Sequence, residues 1–334
     1  MQTWELLLRE LMNTYILKHV SYCDVSRLRS SSSSFYNTID ISAANTFLSY
    51  ETFLTTLYET MDMRSIAYTK ALLQWEHARC AICFDYINSF SVPILHFTIC
   101  IDSELSRQIT QCVPESLFFC DERGNTAMHI SAGIESDVFE ILLNEFKKTD
   151  KKSLVFPNKD GDSILHIACA CGCMKNMKLI LDFDPDCIHY VNAKGIGTCL
   201  HTASWFGRTD IARELMQRGG AELVLSQCSS FAFGYTSLMM AATAGHLKIC
   251  EMTIHYMRDQ NSLHELMSKI GFFDQNCLHL SILYCEESIS KIFIEHGDSS
   301  VMNQKNYNMN TPYELALKLH QTNIAEQIRL KVNA

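Results

Sequence analysis

A chain of 334 residues that is 47% hydrophobic and 19% charged can hold two regions with cores of their own and is too apolar to stay disordered. Its formal charge of −9, with no stripe of Lys and Arg, argues against nucleic acid, whose binding rests on clustered cations. The start, Met1-Gln-Thr-Trp-Glu5, lacks the basic opening and apolar run of a secretory signal, and the longest apolar stretches, such as Phe90 to Ile101, are too short and interrupted to span a bilayer. Fifteen cysteines, an odd number without such a signal, point to free thiols in a reducing, cytoplasmic compartment.

Residues 1–42 read as helical. Trp4-Glu-Leu-Leu-Leu-Arg-Glu-Leu-Met12 has helical spacing; then come Ile16-Leu17, Val20, Asp24-Val25 and Leu28, a serine run from Ser30 to Ser34, and Phe35-Tyr36. This stretch resembles an F-box, the short helical motif that docks substrate receptors onto the Skp-type adaptor of cullin-RING ubiquitin ligases. Ile16, Leu17, Val20, Asp24, Val25, Leu28 and Phe35 fall at the motif's offsets. Leu11 sits one position early, the leading proline is absent, and Ser31-Ser32 replace the usual Val-Cys pair. The resemblance implies that these eight apolar and acidic positions hold the adaptor. The alternative is a helical cap for the repeats that follow, with the serines as a linker.

Residues 43–90 suggest a helical spacer or a degenerate capping repeat. Phe47, Tyr50, Phe53, Leu54 and Leu57 recur at helical spacing, and Ile66 through Phe84 suggest a second helix. His77, Cys80 and Cys83 would line one face of it. They lack a fourth ligand and the turn geometry of a zinc knuckle, so buried thiols are expected here and no metal.

From Pro93 onward one pattern returns. Asp121-Glu-Arg-Gly-Asn-Thr-Ala-Met-His129-Ile-Ser-Ala132 is followed by Ser163-Ile-Leu-His166, Thr198-Cys-Leu-His201, Thr236-Ser-Leu-Met239 and Asn276-Cys-Leu-His279. Weaker copies stand at Pro93-Ile-Leu-His96 and Thr311-Pro-Tyr-Glu314, and the anchors are 33, 37, 35, 38, 40 and 35 residues apart. This resembles the ankyrin repeat, whose period is about 33 residues. The copy at Gly234-Tyr-Thr-Ser-Leu-Met-Met-Ala-Ala-Thr-Ala-Gly245-His246 keeps nearly the whole signature. Over 91–334 the resemblance implies about seven repeats, the first and last degenerate, in an all-α solenoid of helix pairs with short β-hairpin fingers.

The same unit follows from its residues. A Gly-containing polar segment makes a tight turn, Thr or Ser caps a helix, small residues such as Ala168-Cys169 and Ala241-Ala242 permit close packing, and a second helix carries apolar residues (Val138, Ile141 and Leu142; Met177, Leu179 and Ile180). Neither helix pair buries its apolar face alone, so stacking folds them and leaves a concave binding side.

Histidine recurs once per repeat, which spaces these side chains along a stack and gathers none of them; no nucleophile constellation, phosphate loop or metalloprotease motif is visible, so no catalytic residue, metal or cofactor is expected. Binding residues are expected at the finger tips (Arg123, Lys159, Lys194, Phe233, Tyr235, Phe272, Phe273 and Tyr307) and on the inner helices (Cys171, Trp205, Phe206, Leu283 and Tyr284). The competing possibility is that an insertion before Gln227 folds over the rings. Two functions are open: a substrate receptor that brings an unidentified protein target to an SCF-type ligase, in the manner of host-directed microbial effectors, or an ankyrin scaffold or inhibitor without ubiquitin machinery.

Overall fold

The computed structural model describes residues 94–101, 103–150, 153–229 and 233–333. The F-box-like positions Leu11 through Phe35, the helices expected over 43–90, and His77, Cys80 and Cys83 lie outside the described residues. Two compact units divide the chain, one ending at Lys159 and one running from Asp160 to Ala334. Among the described residues all regular structure is helical, and the fingers are turns in which only isolated antiparallel bridges form, Cys120 with Thr126 and Gln227 with Thr236.

In the first unit, α1 (Ile94–Ile101) and α2 (Ser103–Cys112) are followed by a 3₁₀ turn at Pro114–Phe118, then α3 (Ala127–Ala132) and α4 (Val138–Phe146). Thr126 has extended backbone and opens α3 with a capping box: its side chain accepts from the backbone of His129 while the imidazole accepts from its own N–H. The apolar face of α4 is Val138, Phe139, Leu142, Leu143 and Phe146, all buried; Ile141 turns half out. Phe146 meets Phe118 and Phe156 with ring centroids 6.0 and 5.8 Å away, tilted and edge-on respectively.

The second unit contains five helix pairs: α5 (Ile164–Cys171) with α6 (Met174–Phe183), α7 (Cys199–Trp205) with α8 (Thr209–Leu225), α9 (Ser237–Thr243) with α10 (Leu247–Asp259), α12 (Cys277–Leu283) with α13 (Glu287–His296), and α15 (Pro312–Lys318) with α16 (Thr322–Val332). Short helices α11 (Leu263–Ser268) and α14 (Ser299–Asn303) lead from two of the outer helices to the next finger. Ser163, Thr198, Thr236, Asn276 and Thr311 stand at the N-caps of the inner helices with extended backbone, where an oxygen can meet orphan N–H groups.

Each inner helix packs on the next, and so does each outer helix. Close approach is possible because Ala168, Cys169, Ala203, Ser204, Ala241 and Ala242 are small, and all six are buried. On α6 the buried apolar residues are Met177, Ile180 and Leu181, with Leu179 half-buried. The extra length after His201 is taken up by α8, which bends at Gly220 (φ 67°, ψ −171°) and then drives Leu223 and Val224 into the core.

Candidate functional site

The fingers are polar turns whose hydrogen bonds are made locally and then to the neighbouring finger. In the first unit Asp121 N–H donates to Asn125 O at 3.0 Å, and Lys159 N–H donates to Arg123 O at 2.8 Å. In the second unit the same cross-finger bond recurs: Ala193 N–H to Gly161 O (2.9 Å), Ser229 N–H to Gly195 O (2.8 Å), Phe272 N–H to Phe233 O (2.6 Å) and Tyr307 N–H to Phe273 O (2.8 Å). One rung per repeat holds the tips in a row.

Beneath the tips the repeated histidines form a second series. Nε2–H donates to a backbone carbonyl one repeat on: His129 to Phe156 (2.8 Å), His166 to Gly197 (3.1 Å), His201 to Tyr235 (3.1 Å) and His279 to Asn310 (3.0 Å). Nδ1 is occupied as an acceptor, for Thr198 N–H at 3.1 Å in the case of His201. Burial pushes the imidazoles of His166, His201 and His279 down to about 4, partly offset by these carbonyl contacts. They are neutral struts between repeats. Met239 takes the equivalent place in the third pair and is fully buried.

On this frame the second unit carries a connected row of aromatic rings. Phe233 packs against Tyr235 (centroids 5.6 Å apart) and edge-on to Phe272 (5.5 Å); Phe272 contacts Phe273 (4.0 Å), and Phe273 contacts Tyr307 (6.0 Å). Three consecutive fingers contribute. Phe272, Phe273 and Tyr307 are 44, 47 and 70% exposed, so the row faces solvent instead of a core. Its backbone is held against preference: Phe233 has φ 74° and Phe273 φ 59°, a left-handed conformation that costs a bulky residue about 1–3 kcal/mol. The surroundings fix it. Gln227 Nε2 donates to Gly234 O at 2.7 Å and Ile270 O at 2.9 Å, clamping two fingers together.

The other expected binding residues lie in both units and differ in exposure. Tyr235 is buried beneath it, its ring lying so close to Gly271 that a Cβ there would come within 2.4 Å of Tyr235 Cδ1. Lys194 is exposed and pairs with Asp160 at 3.1 Å, a surface ion pair of little energetic weight. Cys171, Trp205, Phe206, Leu283 and Tyr284 are half-buried at the last turns of their inner helices and the residues that follow. The Trp205 carbonyl is fixed by His246 Nε2–H at 2.8 Å, as Arg208 Nε–H holds the Ala170 carbonyl at 2.9 Å. Arg123, half-buried, and Lys159, exposed, sit on the fingers of the first unit.

Three residues extend the apolar finger surface beyond the expected set: Ile196, Ile270 and Met309 are 39, 41 and 66% exposed. Ile196 and Met309 are apolar residues with polar or glycine neighbours on both sides, which is the signal by which the sequence marks them; Ile270 adjoins the aromatic Phe272-Phe273 pair. Burial raises the Cys169 thiol well above its ordinary range, the neighbourhood of Cys199 adding to the effect, so it serves as a small core residue. Among the described residues no three His, Cys, Asp or Glu side chains gather as metal ligands, and no helix is long and apolar enough to cross a membrane.

No family model matches the chain. It is similar to human SH3 and multiple ankyrin repeat domains protein 2, 26% identical over 234 residues, a match that covers 69% of this chain and 12% of that protein. It is also similar to the probable 26S proteasome regulatory subunit p28 of Saccharomyces cerevisiae, 24% identical over 161 residues, covering 46% of this chain and 65% of the relative. The chain thus spans less than two thirds of the length of either relative. Together with the helix pairs, these likenesses give the fold as all-α, of the ankyrin-repeat kind.

Proposed function

We propose that this chain is a non-catalytic protein-interaction adaptor that holds a polypeptide target against the fingers and inner helices of Asp160–Ala334. The observation that carries the reading is the solvent-facing row Phe233, Phe272, Phe273 and Tyr307, built on strained backbone across three fingers. Exposed aromatics on a rigid frame supply large contact area at small entropic cost, the usual make-up of an interaction hot spot. Trp205, Phe206, Cys171 and Tyr284 extend the contact along the inner helices, and Lys194 supplies a cationic tip; Arg123 and Lys159, on the fingers of the first unit, are proposed as contacts of that unit by itself.

In the finer form of this proposal, Leu11, Ile16, Leu17, Val20, Asp24, Val25, Leu28 and Phe35 dock a Skp-type adaptor, and the chain delivers its target to an SCF-type ubiquitin ligase in the cytosol, as a microbial effector does in a host cell. Chemistry is then borrowed, and the chain contributes proximity alone. The name of the yeast relative, a probable 26S proteasome regulatory subunit, agrees with a role beside the proteasome. The second reading, a scaffold or inhibitor that occludes its partner, is favoured by the departures from the F-box pattern at Ser31-Ser32 and at the missing proline.

Titration of the full chain with a purified Skp-type adaptor separates the two. The ligase reading expects a complex that Leu17→Ala and Leu28→Ala weaken; no complex, or one indifferent to both changes, leaves the scaffold reading. A photo-crosslinking residue at position 273, compared with one at position 213 on the outer helix α8, tests the target surface. Adducts with a discrete protein only from position 273 support it, and equal labelling from both positions refutes it.

A further inference from the structure

The outer helices of the second unit begin after the N-caps Cys173, Arg208, His246, Glu286 and Gln321, and each meets its successor near the ninth and tenth residues after the cap. Three of these four junctions join complementary groups. Asp182 pairs with Arg218 at 2.7 Å, the Tyr256 hydroxyl donates to Met216 O at 2.8 Å, and Lys331 Nζ donates to Glu295 O at 2.9 Å. The remaining junction, between α10 and α13, sets two bases together: His255 packs edge-on to His296, with ring centroids 6.2 Å apart. The ninth residue, which is Asp182, Gln217, His255 or Glu295, is exposed at every junction, so solvent reaches the whole outer row.

Arg258, one turn beyond His255, adds to the imbalance. Arg213, Arg218 and Arg329 each meet a carboxylate, at 2.7, 2.7 and 2.6 Å, and Arg208 holds the Ala170 carbonyl. Arg258 Nη2 instead lies 2.5 Å from His296 Nδ1 and 3.2 Å from Nε2, and among the described residues no carboxylate pairs with it. The His296 imidazole is held below its ordinary range by burial first and then by Arg258, His255 and Lys331, while Glu295 acts the other way. Three bases from three successive repeats thus surround His296 against one acid, in a chain whose formal charge is −9. An anion placed among them relieves that excess.

We propose that His255, Arg258, His296 and Lys331 form a binding site for a phosphate group, either free or carried on a phosphorylated side chain of a partner. A guanidinium offers a planar fork of N–H donors, an imidazole donates an N–H in either protonation state, and an ammonium adds a compact charge. Donors on three helices are matched by the several oxygens of one tetrahedral oxyanion, whereas a carboxylate, with two, meets fewer of them. The site lies on the outer helices and not on the fingers, so its failure leaves the target-binding reading intact.

Titration of the full chain, carrying 15N-labelled histidine, with inorganic phosphate at pH 6.5 and constant ionic strength tests it by nuclear magnetic resonance. The imidazole signals of His255 and His296, assigned from His255→Gln and His296→Gln, are expected to shift together and to saturate, while that of the exposed His320 stays in place. Arg258→Gln is expected to raise the apparent Kd by about tenfold or more, and Arg213→Gln, which breaks only the pair with Asp210, to leave it unchanged. Should Arg258→Gln disturb the circular dichroism spectrum, Lys331→Gln, at the exposed end of α16, gives the same reading. The same titration with N-acetyl-phosphoserine amide identifies the source: tighter binding than inorganic phosphate places the group on a protein, weaker binding makes it a free phosphate, and both support the site. No saturable shift at the two histidines, sodium acetate bound as tightly as phosphate, or a Kd indifferent to both substitutions overturns the proposal.

Discussion

Lowering the pH from 7.5 to 5.0 is predicted to destabilise the second unit through its buried histidines. His166, His201 and His279 are held near 4 in the folded state against 6.5 when free in water, because their rings are buried. Between those two values the unfolded chain binds protons that the folded chain does not, so stability rises with pH there and is lost as pH falls below about 6.5. Each imidazole contributes a loss of about 0.8 kcal/mol at pH 6.0 and about 2 kcal/mol at pH 5.0, and three together set a ceiling of about 6 kcal/mol. Urea unfolding of the full chain, followed by circular dichroism at both pH values, measures it. The fold itself supplies the control: since Met239 fills the histidine place in the third pair, His201→Met should fold, cost about 1–2 kcal/mol at pH 7.5 for the lost strut, and shrink the pH effect by about 2 kcal/mol at pH 5.0. A midpoint that does not move between the two pH values, or a His201→Met variant with the parent's full pH dependence, refutes the reasoning.

Gly197→Ala is expected to destabilise by about 2–4 kcal/mol in the same assay, because φ is 128° there and the added Cβ would lie 2.6 Å from His201 Cγ. Phe273→Gly removes a left-handed strain and should raise stability by about 1 kcal/mol while weakening target binding; a destabilised variant would show that the ring is held for the fold's sake. Trp205→Ala is expected to weaken target binding with little change in the unfolding midpoint, since the ring is only half-buried and its anchored atom is the backbone carbonyl; unchanged affinity would exclude the ring from the contact.

The repeat was legible because each copy states the same local physics. A cap such as Thr198, small residues such as Ala203-Ser204 and a histidine at a fixed distance can be read from spacing, and they form the helix starts, the close contacts and the struts. The fingers were legible as segments but not in detail. Tyr235 and Phe233 are neighbours of similar chemistry on one finger, yet one is buried against Gly271 and the other is only half-buried, with a positive φ at Phe233 and the next finger close by. Spacing carries no record of either. Ile141 and Leu179 show the ordinary limit of periodicity, each lying at the edge of an apolar stripe whose centre is Leu142 or Ile180.

The most direct test of the finger surface is the affinity of the crosslinked target for a variant carrying Phe272→Ser, Phe273→Ser and Tyr307→Ser together, measured by calorimetry with the fold checked by circular dichroism. Loss of at least about 2 kcal/mol of binding, roughly thirtyfold in Kd, is predicted with the unfolding midpoint held or raised. Parent-like affinity in that variant would contradict the account.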